Sequence, residues 1–157
     1  MSLDSPPPAA SNGAAFKFGL VAARFNAELV DALLARALAT LRAAGVKEKN
    51  LTVMRVPGSH EVPWAAQRLA AAGGRDCVIA LGVLIGGDTN HHEMVGQSVS
   101  HALQGIAVTT GVPVINGVIV TDTVAQARAR CAGKINRGAE FARAALAMAA
   151  LKKELSR

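Results

Sequence analysis

Aromatic residues are scarce in this 157-residue chain, making up 3% of it, with no tyrosine and a single tryptophan, Trp64. The scarcity matters because the formal net charge of +6 would otherwise favour a nucleic-acid partner. Proteins that hold single-stranded nucleic acid combine cations with rings on which the bases stack. Since such rings are missing, we expect no nucleic-acid partner and expect much of the basic charge to lie on solvated helix faces.

Long apolar runs are also missing. No stretch approaches the roughly 20 apolar residues that a membrane span needs, and the first residues do not combine a basic start with an apolar core. We therefore expect neither a membrane partner nor a secretory signal. The two cysteines, Cys77 and Cys131, lie in a predicted core strand and a predicted helix. We interpret them as buried structural thiols, which favours a reducing, cytoplasmic location.

Apolar residues are abundant, at 51% of the chain, enough to bury a core. Apolar runs without a helical period alternate with stretches whose apolar residues recur at helical spacing. Strands are predicted at residues 16–22, 51–56, 77–85 and 112–120. Helices are predicted at residues 28–45, 62–72, about 88–110, about 124–132 and 136–155.

Strict alternation of strands and helices is typical of a parallel sheet covered on both faces. We therefore predict an α/β fold, a three-layer α/β/α sandwich around a doubly wound four-stranded parallel sheet of flavodoxin-like topology. Residues 1–15 are rich in proline, serine and alanine, which predicts a flexible or extended tail. Residues 16–157 are predicted to form a single domain.

The stretch at residues 80–95 carries the strongest chemical pattern. A buried strand is followed by a hinge at Gly86-Gly87 and then by Asp88, Thr89 and Asn90, any of which can cap the next helix. The N–H groups at a helix start favour an anion, most often a phosphate. His91 stands beside this position, and an imidazole titrates near neutral pH. The pattern predicts an anion site next to a proton carrier.

Four polar segments are predicted at one edge of the sheet, because each follows a strand and right-handed crossovers bring strand ends together. They are residues 24–26, 58–61, 86–91 and 121–123. Either His91 or His92 can be the proton carrier, or both can be solvated helix-start residues. A metal is disfavoured, because the HxxxH spacing of helical zinc sites is absent.

Several side chains near this edge have two interpretations on the residues alone. Glu61 can complement the start of a helix or accept hydrogen bonds from a ligand. Phe25 can stack on a flat ring or pack within its loop. Arg130 is typical of a solvated charge on a short helix, and Trp64 of packing in the core or at an interface.

Six segments carry a resemblance to a known family. They are residues 24–26 (RFN), 56–63 (VPGSHEVP), 81–92 (LGVLIGGDTNHH), 111–114 (GVPV), 121–123 with 126–127 (TDT and QA), and 136–140 (NRGAE). In order and spacing the chain resembles lumazine synthase, 6,7-dimethyl-8-ribityllumazine synthase, over roughly residues 16–151. Their common order makes the resemblance specific, although no single motif is decisive.

The resemblance implies a transferase of riboflavin biosynthesis that needs no cofactor and no metal. It would condense 5-amino-6-(D-ribitylamino)uracil with 3,4-dihydroxy-2-butanone 4-phosphate, releasing phosphate and water. His91 matches the proton-transfer histidine, and the residues matching those that bind the uracil are Phe25, Ser59, His60, Glu61, Val83, Leu84, Ile85 and Asn116. Asp88, Thr89 and Arg130 match those that bind the phosphate-bearing substrate.

Family sites lie between the subunits of a homopentamer, so the resemblance implies that Asn116 and Arg130 come from the adjacent chain. The segment at residues 131–135 is one residue shorter than in members that form sixty-subunit icosahedral shells, which leaves pentamer or shell open. The chain departs from the family at Gly86, where Arg or Lys is frequent, and at His60, Asp88 and Asn116.

These departures motivate a rival function, a non-catalytic protein that binds a flavin or lumazine on the same scaffold. A generic nucleotide-binding module ranks last, because neither a GxGxxG nor a Walker motif is present.

Overall fold

The computed structural model describes residues 12–156. The predicted tail at residues 1–15 falls largely outside this range. Of its last residues, Gly13 is buried, and its N–H donates a hydrogen bond to the carbonyl of Ala44 at 2.7 Å.

Strands and helices alternate along the described chain. The strands are β1 (Phe18–Ala23), β2 (Leu51–Val56), β3 (Cys77–Ile85) and β4 (Val114–Thr121). The helices are α1 (Ala27–Ala43), α2 (Val62–Ala71), α3 (His91–Thr110), α4 (Val124–Cys131) and α5 (Arg137–Leu155). Single 3-10 turns occupy Glu48–Asn50 and Ser59–Glu61.

The sheet is parallel throughout, with the strand order β2-β1-β3-β4. Phe18 pairs with Leu51 on one side and with Cys77 on the other, so β1 lies in the middle of its two neighbours. The chain runs outward from β1 to β2 and then crosses back to β3, so the topological switch point lies between β1 and β3. The predicted α/β sandwich with its flavodoxin-like sheet is confirmed.

Two apolar layers hold the helices on the sheet. Alternate side chains of a strand point to opposite faces, and β1 shows this with Leu20 in one core cluster and Val21 in the other. The Leu20 layer packs α1, α4 and α5, and the Val21 layer packs α2 and α3. Trp64, at 68% exposure, belongs to neither layer, so core packing within the chain is excluded for it.

Both cysteines are buried free thiols, as predicted. Burial raises the pKa of Cys77 to about 12 and that of Cys131 to about 11. Among residues 12–156, no helix combines the length and the apolar character that crossing a membrane requires.

Candidate active site

A cleft of about 450 Å³ opens at the carboxyl ends of the strands, at the switch point between β1 and β3. Ligands of open α/β sheets bind in this position, because the helices diverge there to opposite faces. The loops after β1, β2 and β3 and the first turn of α3 form its walls. The predicted site residues that line it are Phe25, Ser59, His60, Glu61, Val83, Leu84, Ile85, Thr89 and His91.

The loop after β1 is tied to the loop after β2. The N–H groups of Arg24 and Phe25 each donate to the carbonyl of Pro57, both at 3.1 Å. The backbone is therefore anchored, yet the Phe25 ring remains 73% exposed at the cleft mouth. The alternative in which this ring packs within its loop is excluded, and its faces are open to a flat ligand.

Asn26 occupies the N-cap position of α1, but its side chain makes no capping hydrogen bond. Instead Nδ2 donates to the carbonyl of Val83 at 2.9 Å. The residue adopts the left-handed conformation, with φ 54°, which asparagine tolerates better than most residues. Asn26 thus bridges the ends of β1 and β3 across the switch point and lines the cleft.

The loop after β2 brings one buried hydroxyl and one carboxylate to the cleft. Ser59 is 4% exposed, and its Oγ has no hydrogen-bond partner among residues 12–156. A Cβ on Gly82 would collide with this hydroxyl, so the glycine makes room for it. An unpaired buried hydroxyl costs free energy, and a bound ligand would satisfy it.

Glu61 has one of its two predicted roles, since it accepts a hydrogen bond at the start of the turn, and the other, binding a ligand, stays a prediction. Its Oε2 accepts a hydrogen bond from the N–H of Gly58 at 2.8 Å, which fixes the side chain at the start of the turn. Its Oε1 lies 3.9 Å from Nδ1 of His60, beyond hydrogen-bond length. One carboxylate oxygen therefore shapes the loop, while the other is left for a ligand.

The end of β3 extends past β1. Pairing between β1 and β3 stops at Ala22 with Leu81, whereas pairing between β3 and β4 continues to Ile85 with Thr121. The segment from Val83 to Ile85 therefore borders the cleft without a neighbouring strand on the β1 side. On that side a ligand can form hydrogen bonds with the main chain, in the place that a neighbouring strand would otherwise occupy.

The hinge after β3 is pressed against the turn after β4. The N–H of Gly86 donates to the carbonyl of Thr121 at 2.8 Å. A Cβ at Gly86 would lie 2.7 Å from the carbonyl oxygen of Asp122, closer than real contacts allow. At Gly87 nothing lies within 4 Å of such a Cβ. Glycine is thus required at the first hinge position of this chain by a close backbone approach.

The first turn of α3 is open to an anion. Asn90 is the N-cap residue but makes no side-chain capping bond, so the predicted capping by a side chain is absent at this helix. Because the first N–H groups of a helix have no partner within it, they remain available to a ligand. Thr89 lines the cleft, whereas Asp88 is exposed and is not part of its lining.

The two adjacent histidines have different surroundings. Both line the cleft, and His91 is exposed. The His92 side chain is 13% exposed, with Nε2 at 4.0 Å from Oδ1 of Asp122. Its Nδ1 is buried and has no partner in the described part of the chain. The interpretation of both as solvated helix-start residues therefore fails for His92.

Asn116 and Arg130 lie outside this cleft. Asn116 belongs to a second groove, between β4 and α3, where its Nδ2 donates to Oγ of Ser100 at 3.2 Å. Arg130 lies on α4, and its Nη1 donates to the carbonyl of Gln126 at 3.0 Å. Across residues 12–156, no three His, Cys, Asp or Glu side chains are grouped to hold a metal ion.

Comparison with known proteins identifies the family. The family model described as 6,7-dimethyl-8-ribityllumazine synthase matches residues 15–153, nearly the whole chain. The chain belongs to the lumazine synthase family. The resemblance inferred from its motifs is confirmed.

Relatives within the lumazine synthase family match over most of their length. A protein of Halorhodospira halophila is 47% identical over 140 residues, which covers 88% of this chain and 90% of the relative. One of Xanthomonas oryzae pv. oryzae is 42% identical over 144 residues, with 91% and 90% covered. Both are named 6,7-dimethyl-8-ribityllumazine synthase, which does not favour the rival of a non-catalytic binding protein.

Two cleft residues are predicted only in part. Asn26 belongs to a segment predicted at this edge of the sheet, because it directly follows a strand, but the sequence assigns it no role in the site. His92 is one of the two candidate proton carriers, and the family resemblance selects His91 instead. No signal was available for the pairing of His92 with Asp122, because the two belong to different strand–helix units.

Proposed function

We propose that this protein is a lumazine synthase that condenses 5-amino-6-(D-ribitylamino)uracil with 3,4-dihydroxy-2-butanone 4-phosphate. The products are 6,7-dimethyl-8-ribityllumazine, phosphate and water. The observation that carries the proposal is that one cleft, at the switch point, is lined by segments that resemble the binding segments for both substrates. The chain that forms it belongs to this family.

The uracil would occupy the side of the cleft between the loops after β1 and β2. The exposed ring of Phe25 offers a face for stacking on the pyrimidine. The carbonyl of Val83 is already bound by Asn26, but other main-chain groups of Val83 to Ile85, on the side away from β4, can hydrogen-bond the polar edge of the ring. The ribityl chain would reach the Ser59 hydroxyl and Oε1 of Glu61, the polar groups there without partners, with His60 at the rim.

The phosphate-bearing substrate would bind at the start of α3. The N–H groups of His91 and His92, the first two of α3, and the Thr89 hydroxyl are suitable donors for phosphate oxygens. Asp88 is exposed and does not line the cleft, so solvent screens its repulsion of a bound phosphate. Phosphate is also the leaving group, and a guanidinium such as that of Arg130 stabilises its charge more strongly than neutral donors do.

The chemistry requires proton transfers near neutral pH, and His91 is placed for them. The amino group of the uracil attacks the ketone, and loss of water gives a Schiff base. Phosphate is then eliminated, which leaves an enol that tautomerises to a ketone. The ribityl-bearing nitrogen attacks this ketone, and loss of a second water closes the ring. Each step moves a proton that an imidazole can carry. Holding both substrates in one cleft supplies much of the remaining acceleration.

We further propose a homopentamer whose sites are completed by adjacent subunits. Within one chain Arg130 and Asn116 lie away from the cleft, whereas the resemblance of the sequence implies that both bind substrate. Large apolar side chains are exposed beside the cleft and on α2 and α4, which supports burial against a neighbour: Phe25, Trp64, Met94 and Val124. A sixty-subunit shell would be built from the same pentamers.

We also propose a cytoplasmic location, because both thiols are buried and free rather than joined in a disulfide.

The test is direct. Purified protein is mixed with both substrates, and lumazine formation is followed by its absorbance. We expect a rate above that of the spontaneous condensation, saturating with each substrate. A rate equal to the spontaneous one would refute the enzymatic function, and native mass measurement on the same sample tests the pentamer.

A further inference from the structure

A second cleft, of about 520 Å³, lies at the opposite edge of the sheet, where the strands begin. Four of its lining residues are basic: Lys17 precedes β1, Lys47 and Lys49 precede β2, and Arg75 precedes β3. The others are Ala14, Asn50 and Thr52, so no carboxylate lines it. We refer to these seven residues as the basic cleft.

The cations of the basic cleft outnumber the carboxylates near them. Of the two nearby carboxylates, Glu48 is paired with Arg42, whereas Asp76 keeps its negative charge because its hydrogen-bond donor is a neutral N–H. Glu48 accepts hydrogen bonds from Nε and Nη2 of Arg42 at 2.9 and 2.8 Å, and Asp76 accepts one from the N–H of Lys17 at 2.7 Å. Within residues 12–156 no ion pair involves the four cations. Like charges held together repel one another, and a bound anion would offset that repulsion.

The Arg75 guanidinium is held in place rather than free in solvent. Its Nη2 donates to Oγ1 of Thr52 at 3.0 Å, and its Nε is buried without a partner among the described residues. A further cation, Lys152, donates to the Arg75 carbonyl at 3.1 Å, which increases the positive charge behind the cleft. A positioned guanidinium with mobile lysines around it is suited to binding phosphate groups.

We propose that the basic cleft binds a small oligophosphate anion, a diphosphate or triphosphate group, either free or carried by a nucleotide. The cations come from the beginnings of three strands, so an anion with charge on more than one phosphorus can contact all of them. No aromatic residue lines the cleft, so a nucleobase would have no ring to stack on. Recognition is therefore directed at the phosphates.

The proposed site is separate from the substrate cleft. The nine residues of β3 run from one edge of the sheet to the other, a distance of about 30 Å at the usual rise of a strand. An oligophosphate in the basic cleft therefore does not compete with substrate for space. Loss of this binding should leave the condensation rate unchanged, so the two proposals fail independently.

The test is calorimetric titration of the intact protein with inorganic triphosphate at near-physiological ionic strength. We expect saturable binding, one site per chain, about tenfold or more tighter than binding of orthophosphate. The variant Lys47→Gln/Lys49→Gln should weaken it by about tenfold or more. The control Lys134→Gln/Arg143→Gln removes the same net charge from exposed positions away from the cleft and should leave the affinity within about twofold.

A parallel titration with adenosine triphosphate tests whether the site also recognises a nucleoside. If adenosine triphosphate and inorganic triphosphate bind with equal affinity, the protein contacts only the phosphates. Equal weakening by both double variants would overturn the proposal, because the effect would then follow net charge. No binding, or orthophosphate binding as tightly as triphosphate, would also overturn it. A single-stranded oligonucleotide that binds more tightly than triphosphate, and loses affinity in the cleft variant, would replace it with a nucleic-acid site.

Discussion

The two edges of the sheet differ in the charge and the shape they present. At the carboxyl edge the cleft combines an exposed ring, a buried hydroxyl and two histidines, with few charges. At the amino edge the cleft is polar and carries four cations. Part of this difference in charge between the edges is explained by the helix dipoles, which favour basic residues in last turns and acidic residues in first turns. Arg42 and Arg68 lie in last turns, and Glu28 lies in a first turn. The cations of the basic cleft precede strands and lie outside those turns, so the dipoles do not explain them.

The comparison indicates which edge of the sheet is suited to catalysis and which to binding an anion. Two adjacent strands send their connections to opposite faces only at the switch point, which leaves a cleft with free main-chain groups and space for two substrates. The amino edge has no such divergence and offers charge instead. We therefore expect changes at the carboxyl edge to affect turnover and changes at the amino edge to affect only the binding of anions.

The largest effect is expected from His91→Ala. Removing a general acid–base group typically costs about 10²- to 10⁴-fold in rate, and we expect a loss of that order in kcat with the oligomeric state unchanged. Steady-state kinetics and native mass measure the two properties. His92→Ala is the matched control, and we expect a smaller loss because that ring faces Asp122. If His92→Ala were the more damaging change, the proton carrier would be misassigned.

Next in size is Arg130→Ala, which tests the phosphate subsite. Losing a charge-assisted contact should raise KM for the butanone phosphate by about 10- to 100-fold while leaving KM for the uracil nearly unchanged. Separate titrations of each substrate measure the two constants. Arg128→Ala, on the same helix but paired with Glu28 at 2.8 Å, is the control. An equal rise in both constants would contradict a phosphate-specific role for Arg130.

Substitution of Gly86 in the hinge is expected to lower the free energy of unfolding, in addition to any effect on substrate binding. In Gly86→Ala the new Cβ would lie 2.7 Å from the Asp122 carbonyl, so the backbone must shift. We expect a loss of about 1–3 kcal/mol in the free energy of unfolding, the usual range for overpacking. Gly87→Ala, which meets nothing within 4 Å, should cost much less. Thermal unfolding of both variants is the measurement, and equal losses would refute the close approach.

The smallest effect concerns Cys77, which begins β3 just behind the basic cleft. Burial raises its pKa from 9.0 to about 12 despite the opposing charge of Lys152. Since the unfolded thiol loses its proton above pH 9 and the folded one does not, stability should fall as pH rises above 9. The expected loss at pH 10 is about 1 kcal/mol. Urea unfolding at pH 8 and 10 measures it, with Cys77→Ala expected to lose that part of the pH dependence.

The sequence predicts β2 and β3 to the residue, because each is an apolar run bounded by turn residues. For β1 the prediction began two residues early, at Phe16 instead of Phe18, and for β4 at Val112 instead of Val114. Phe16 and Val112 are buried, and burial alone does not distinguish a strand from the segment leading into it. The start of β4 is delayed by Pro113, which has no N–H to donate to a ladder.

The sequence predicts those residues of the site whose positions are determined by the ends of the strands. Ser59 and Glu61 reach the cleft because the loop after β2 must end at the same edge as β3. The partner of Asn26 was not predictable, since the carbonyl of Val83 lies 57 residues away along the chain. The roles predicted for Asn116 and Arg130 depend on family resemblance alone, because one chain does not bring them to its own cleft.

The most direct test of the account is co-assembly of two impaired variants, His91→Ala and Arg130→Ala, assayed for lumazine formation at low substrate concentration. If each site takes His91 from one chain and Arg130 from its neighbour, equal random mixing restores about a quarter of the sites to the wild-type pair in a ring. We predict activity well above that of either variant assembled alone. Activity no higher than the average of the two separate variants would contradict a site shared between subunits.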